Sequence, residues 1–234
     1  MILDIDLGNT GMKWRWFGEK QSYRAAPQAG EVDRLAAAGR EVSRVRMASV
    51  AKPELTSQVS GWLTERLGVA PQICRVARVC GRVETAYEDE SRLGVDRWLA
   101  VLAAWQRFER ACLVIDAGTA FTIDVVTDTA RHCGGYIVPG YQAMLDALWH
   151  GTGAVKARAA ASVPDLAPAL NTGEAVNRGV LQMYLGLIDR TRAGMAGTPL
   201  LVLAGGAAPL LLPHLEGARH CPDLVLDGLN IACP

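Results

Sequence analysis

The sequence predicts a duplicated α/β fold, on three observations. An apolar run ending in Asp-x-Gly, then Thr and a returning apolar strand, occurs near the start of the chain and again from Cys112. Strand-like runs alternate with helical patterns through both halves. The chain has 234 residues, half of them hydrophobic, which is enough apolar material for two small cores. Shared punctuation at slight sequence identity points to an internal repeat. The expected boundary lies near Arg107–Arg110, giving an N-terminal domain over 1–108 and a C-terminal domain over 109–234.

In the first half, Ile2 to Leu7 reads as a buried strand that ends at the turn Gly8-Asn9-Thr10-Gly11. Met12 to Phe17 returns as a second strand, and Gln21 to Ala26 reads as a third. Residues 31–40 look helical, and Arg44 to Val50 reads as a strand. Pro53 opens a helix with Leu55, Val59, Trp62, Leu63 and Leu67 at near-helical spacing, and Gly68 ends it. A further helix spans Val95 to Phe108.

The second half repeats the plan. Cys112 to Ile115 is a strand ending in Asp116-Ala117-Gly118-Thr119, followed by strands over Phe121–Val126 and Gly135–Val138. Pro139-Gly140 starts a helix through Trp149. A long helix covers about Glu174 to Arg192, and the strand Leu200–Leu203 runs into Ala204-Gly205-Gly206-Ala207. Residues 151–170, rich in Gly, Ala and Pro and without periodicity, read as a mobile connection.

Lys+Arg and Asp+Glu are both 24. That balance argues against a nucleic-acid surface built on bulk charge. The six cysteines form no CxxC pair, so ordinary thiols in a reducing cytosol are a better reading than a zinc site. Cys112 reads as core. The N-terminus shows no signal-peptide pattern, and no apolar run has the length to span a bilayer. The expectation is a soluble cytoplasmic protein with no membrane partner.

Four motifs carry chemistry. Asp6-Leu7-Gly8-Asn9-Thr10-Gly11-Met12-Lys13 sets an Asp at a strand's end before a glycine turn. Free backbone N–H groups there suit phosphate oxygens, the Asp suits Mg²⁺ through water, and Lys13 adds a point charge. Alone, the turn reads equally as an ordinary hairpin. Asp116 to Thr122 repeats the geometry, and two such turns are much less expected by chance than one. If the halves pack as pseudo-symmetric domains, the turns face each other across a cleft that suits a triphosphate. Gly205-Gly206 lets a flat group approach the backbone, although a plain helix-start turn explains it as well. Gly94-Val95-Asp96-Arg97 places an acid beside a cation near a helix start, which also occurs on ordinary surfaces. The sequence has no GxxxxGK[ST], no GxGxxG after a strand, no GxSxG and no HExxH.

In this order the four motifs resemble those of the type III pantothenate kinases, also known as the Bvg accessory factor family. Gly134–Gly140 and Asn171–Ala175 fit as well, so the resemblance covers essentially the whole chain. It implies duplicated ribonuclease H-like, actin-like ATPase domains with mixed sheets flanked by helices and a cleft between them. It also implies phosphorylation of pantothenate by ATP, the first step of coenzyme A biosynthesis. Carried over by position, Asp6, Leu7, Gly8, Asn9, Thr10, Gly11, Met12 and Lys13 bind the ATP phosphates with Mg²⁺, and Thr119 contacts ATP. Asp96 is the general base. Tyr87, Gly94, Val95, Asp96, Arg97 and Thr172 line the pantothenate site, with Arg97 facing the carboxylate and Thr172 reaching in from the partner subunit of a homodimer. Asp116 matches the ligand of a monovalent cation, K⁺ or NH₄⁺.

The sequence departs from the family pattern in three places. Glu88-Asp89-Glu90-Ser91 stands where Asn-Pro is often found, Asp4 where an apolar residue is usual, and the glycines at 205–206 lack a preceding Thr. Two rival readings remain: an accessory transcription-regulatory factor without kinase activity, and a related kinase acting on a sugar, acetate or another hydroxyl substrate.

Overall fold

The computed structural model describes residues 1–152 and 165–234. Most of the connection expected over 151–170 lies outside the described residues. The chain divides into two compact units, Met1–Gln106 with Asp223–Pro234, and Arg107–Pro222. The sequence-based division at 108/109 left residues 223–234 with the second part, whereas their contacts group them with the first.

The first unit is built on β1 (Ile2–Leu7), β2 (Met12–Trp16), β3 (Tyr23–Ala25), β4 (Arg44–Ser49) and β5 (Gln72–Ile73), in the order β3-β2-β1-β4-β5. β1 and β2 form a hairpin in which Leu7 faces Met12 and Asp6 faces Lys13. β4 lies parallel to β1 on its other side. Leu3, Ile5 and Leu7 on β1, with Met12, Trp14 and Trp16 on β2, pack against α1 (Ala29–Ala37) and α2 (Pro53–Leu67). α2 starts on Pro53 and ends where Gly68 turns left-handed and its N–H closes on the Thr64 carbonyl at 3.0 Å. The short hairpin β6 (Val79–Cys80) and β7 (Val83–Thr85) precedes α3 (Val95–Phe108).

In the second unit the strands β8 (Cys112–Ala117), β9 (Ala120–Val126), β10 (Arg131–Pro139), β11 (Leu200–Ala204) and β12 (Arg219–His220) run in the order β10-β9-β8-β11-β12. β8, β9 and β10 are antiparallel neighbours, and β11 is parallel to β8. This is the strand order of the first unit repeated: a hairpin, a third antiparallel strand, then two parallel strands on the far side. The duplication read from the sequence is therefore present in the topology. The long helix α5 (Thr172–Ala193) packs on this sheet through Leu181, Tyr184, Leu185 and Ile188, and Tyr184 stacks on Phe121 at 4.1 Å between ring centroids. Asn171 caps α5 by accepting from the Glu174 N–H at 2.9 Å, which starts the helix two residues before the sequence pattern suggests. α4 (Tyr141–Thr152) buries Leu145 in the same core, and α6 (Ala208–Leu211) follows β11.

The last helix, α7 (Leu224–Ala232), belongs to the first unit and packs on β1 and β4. Gly228 allows its close approach to α3, since a Cβ there would lie under 3.0 Å from the Leu99 backbone. Opposite, the Arg46 guanidinium is buried on β4. It donates to both Asp4 oxygens at 2.7 and 3.1 Å, to Asn230 at 3.0 Å and to the Cys233 carbonyl at 3.3 Å. Asp4, unusual for a strand interior, is thus the anion for the arginine that holds α7.

Candidate active site

The first glycine turn grows directly from the β1–β2 hairpin. Gly8 N–H donates to the Gly11 carbonyl at 2.9 Å and closes the loop. Asn9 ties the turn to the start of α2: its Oδ1 accepts from the Lys52 N–H at 3.0 Å and its Nδ2 donates to the Val50 carbonyl at 3.4 Å. Asn9 and Thr10 are exposed, while Asp6 and Lys13 are half-buried across the hairpin from one another. The Lys13 ammonium lies 2.5 Å from Asp223 Oδ1, which also accepts from Ser22 Oγ at 2.8 Å. Two residues along β2, Arg15 pairs with Asp227 of α7 at 2.8 Å. Burial pushes the Asp223 carboxyl upward, but the hydrogen bonds from Lys13 and Ser22 outweigh it and hold the group below the usual carboxylate range.

A second group of predicted residues gathers at the start of α3. Gly94 accepts from the Trp98 N–H at 3.0 Å, and the Asp96 carboxylate accepts from the Arg97 N–H at 2.8 Å. A Cβ on Gly94 would sit under 3.0 Å from Asp96 Oδ1, so the glycine leaves room for that carboxylate. Arg97, only 7% exposed, donates to the Tyr87 hydroxyl at 3.2 Å. Tyr87 is itself anchored, its carbonyl accepting from Arg78 at 2.6 Å and its N–H donating to Thr85 Oγ1 at 3.2 Å. The fold thus brings Tyr87 and Arg97 together, seven residues of loop notwithstanding. The divergent 88–91 segment is ordered by Asp89, which accepts from both the N–H and the hydroxyl of Ser91.

In the second unit the Asp116 turn and the Gly205 turn form one structure. β8 and β11 are in register with Asp116 beside Ala204, and the Ala207 N–H donates to the Ala117 carbonyl at 2.9 Å. Gly205 has φ +88, and a Cβ there would lie under 3.0 Å from the Ala117 backbone and Asp116 Oδ1. A Cβ on Gly140 would strike the Gly118 and Thr119 carbonyls, and Gly118 lies against the Asp116 carboxylate. Three glycines from three elements thus crowd one turn, leaving Thr119 exposed at its tip. Thr172 is exposed on the first turn of α5, beside the Asn171 cap. Sequence reasoning missed Asn177 here, whose Oδ1 accepts from the buried Tyr141 hydroxyl and whose Nδ2 donates to the Gly173 carbonyl at 2.8 Å. Buried His132 likewise pairs with buried Asp124 at 2.8 Å, across β9 and β10.

Among the described residues, no group of three or more His, Cys, Asp or Glu is arranged to hold a metal ion, and no helix is long and apolar enough to cross a membrane.

The family model for type III pantothenate kinase matches residues 2–193. The type III pantothenate kinase of Ectopseudomonas mendocina is 38% identical, the match covering all of this chain and 99% of that one. That of Pseudomonas aeruginosa strain PAO1 is 37% identical over the same shares. Among solved structures, a conserved putative Baf family transcriptional activator from Campylobacter jejuni superimposes with a TM-score of 0.65 at 20% identity, covering 97% of this chain and 95% of that one. A putative 2-dehydro-3-deoxygalactonokinase from Sinorhizobium meliloti does so with a TM-score of 0.61 at 16% identity, covering 99% and 98%. Those likenesses give the fold. The glycine turns, the Asp96 helix start and the full-length kinship belong together: the chain is a member of the type III pantothenate kinase family.

Proposed function

We infer that this chain transfers the γ-phosphoryl group of ATP to the primary hydroxyl of pantothenate, giving 4'-phosphopantothenate in the first step of coenzyme A biosynthesis. The full-length kinship with kinases of that name supports the reaction, and the regulatory reading is not favoured. The observation that carries the site assignment is the pairing of buried Arg97 with Tyr87, one residue from Asp96.

Phosphoryl transfer asks a protein chiefly to position two reactants and to stabilise charge. The turn from Gly8 to Gly11, braced by Asn9, offers backbone N–H groups to phosphate oxygens. Thr119 is assigned to the nucleotide by its match to the family's second phosphate motif. Arg97 takes the pantothenate carboxylate, with Tyr87 steering the guanidinium. Asp96 accepts the hydroxyl proton as the oxygen attacks phosphorus, and the leaving group is ADP. Thr172 completes the pantothenate site from a second copy in a homodimer.

An ATP-dependent kinase of this fold uses a divalent metal with its nucleotide. Asp6 fits that role, because Mg²⁺ typically takes one or two protein carboxylates and completes its shell with water and phosphate. Bound there, the ion supplies positive charge to the phosphates. Asp116 fits a monovalent cation by its donor chemistry: a half-buried carboxylate in a turn crowded by glycine backbone offers hard oxygen ligands.

The test is ADP release from purified protein with Mg-ATP, with and without pantothenate, in K⁺ and in Na⁺. Release that requires pantothenate and falls in Na⁺ supports both substrate and cation. Absence of release from folded protein overturns the assignment.

A further inference from the structure

Asp223 stands at the N-cap of α7, where an aspartate ordinarily turns its carboxylate onto the first turn of its own helix. Here the side chain makes no capping bond. It reaches back to β2 instead, with Oδ1 2.5 Å from Lys13 Nζ and accepting from Ser22 Oγ at 2.8 Å. Ser22 directly precedes β3, the strand paired with β2, so the carboxylate is held from two neighbouring segments. The Lys13 and Asp223 side chains are only 13% and 16% exposed. α7 is fastened without this pair, by Arg15–Asp227 and by the bonds of Arg46 to Asn230 and the Cys233 carbonyl. Of these cations only Lys13 belongs to the first glycine-turn motif, and it lies across the hairpin from Asp6. Asp223 itself belongs to none of the four motifs.

We propose that Asp223 is a positioning residue of the nucleotide site, which together with Ser22 aims the Lys13 ammonium at the phosphates of ATP, given the phosphate-binding role inferred for the first glycine turn.

A lysine ammonium rides on a flexible four-carbon stem, and an unrestrained one loses that freedom when it takes a phosphate. A carboxylate that already holds the stem in place removes part of this loss. An ammonium has three donors, so a bond to Asp223 leaves it able to serve a phosphate oxygen as well. The negative charge of Asp223 also opposes an approaching triphosphate. Aiming raises what Lys13 contributes to nucleotide binding, and screening lowers it. The two roles therefore give opposite signs of coupling between residues 13 and 223.

The experiment is calorimetric titration of Mg-ATP, without pantothenate, into the parent, Lys13→Met, Asp223→Ala and the double variant, each checked for folding by circular dichroism. Asp223→Ala removes no capping bond, so the start of α7 keeps its backbone contacts. In the parent, Lys13→Met should weaken Mg-ATP binding roughly tenfold or more. In the Asp223→Ala background the same change should cost no more than about twofold, because an unaimed lysine contributes little. Asp223→Glu keeps the charge and should restore most of the lysine's contribution. Ser22→Ala keeps the ion pair and withdraws one donor, so it should shrink that contribution in the same direction, and it carries the test if Asp223→Ala does not fold. Asp227→Ala removes the neighbouring ion pair of α7 and should leave the lysine's contribution at the parent value. Four results overturn the positioning role: no effect of Lys13→Met in the parent, equal effects in both backgrounds, a larger effect once Asp223 is gone, or the same collapse in Asp227→Ala, which would trace it to a loosened α7. Pantothenate-dependent ADP release is read separately. The expected coupling without that release sinks the kinase reading alone, and release with the opposite coupling sinks the positioning role alone.

Discussion

Lys13 Nζ and Asp223 Oδ1 stand 2.5 Å apart, so the cation of the first glycine-turn motif is aimed by a carboxylate at the threshold of the last helix. With Arg15 and Asp227 beside them, β2 presents two cations to two anions of α7. Lys13 therefore does not extend unrestrained toward a nucleotide; it is held, and Asp223 holds it.

This pairing has a pH signature. Asp223 ionises below its ordinary value in the folded protein. Its contribution is therefore fully present above the unfolded carboxylate value of about 3.9 and is lost as pH falls through the lower folded value. Asp223→Asn should unfold more easily than the parent at neutral pH, by about 1–3 kcal/mol, because a largely buried lysine loses a charged partner. The gap should persist down to about pH 5 and close below about pH 4. Urea titrations across that range check it; a gap that widens in acid would contradict the sign.

Asp96→Asn should fold like the parent, because the amide oxygen can still accept from the Arg97 N–H that Asp96 now caps. Loss of a positioned base should lower kcat by about 10²–10⁴-fold with ATP affinity kept. Circular dichroism, nucleotide binding and steady-state kinetics together make the test. Turnover near the parent's would remove Asp96 from the base role.

Tyr87→Phe deletes the hydroxyl that accepts from Arg97 and keeps the ring. A hydrogen bond to a charged group is worth about 1.5–3 kcal/mol, so pantothenate KM should rise roughly tenfold or more. ATP KM should stay within about twofold, because the change affects ligand orientation at one site. Parallel titrations of the two substrates distinguish this from a general loss of structure.

The legibility of the fold follows the length of its signals. β1 with its turn and β8 with its turn were readable because an apolar strand, an Asp and a glycine recur as a unit. α2 was readable because Pro53 and Gly68 bracket a periodic run. β5, β6, β7 and β12 have two or three residues each, too few for a period to register. α7 went unread because Asp227-Gly228 reads as a turn in the middle of a nine-residue stretch, and the reason for that glycine is Leu99 of α3. Local geometry was legible where a motif is short, as in Gly94–Arg97, where the Asp96 carboxylate accepts from the Arg97 N–H. The partners of Lys13, Arg46 and Tyr141 were not, since each comes from a distant part of the chain.

Gly205→Ala tests the crowded turn of the second unit. Its φ of +88 strains any side chain, and the added Cβ meets the Ala117 backbone. Gly197 has φ +72 with nothing within 4 Å, so Gly197→Ala carries the strain alone. Gly197→Ala should cost about 1–2 kcal/mol, and Gly205→Ala clearly more, because strand backbone has to shift. Paired denaturant curves read the difference. Equal losses would mean that the turn yields without resistance.

Asp4 and Arg46 pose the sharpest question about stability, because the pair is buried and its removal can act in opposite directions. Arg46→Met leaves the Asp4 carboxylate buried with its principal cation gone, and it also frees Asn230 and the Cys233 carbonyl. That single change should destabilise the protein by about 3–5 kcal/mol. Asp4→Ile in the same chain removes the stranded charge and puts an apolar side chain on β1, in contact with sheet and helix. Desolvation of two ions then no longer opposes folding, so the double variant should recover most of the loss. Thermal unfolding of the parent, both single variants and the double variant gives the coupling energy. A double variant as unstable as Arg46→Met would mean that the arginine acts through α7, by way of Asn230 and Cys233, rather than through Asp4.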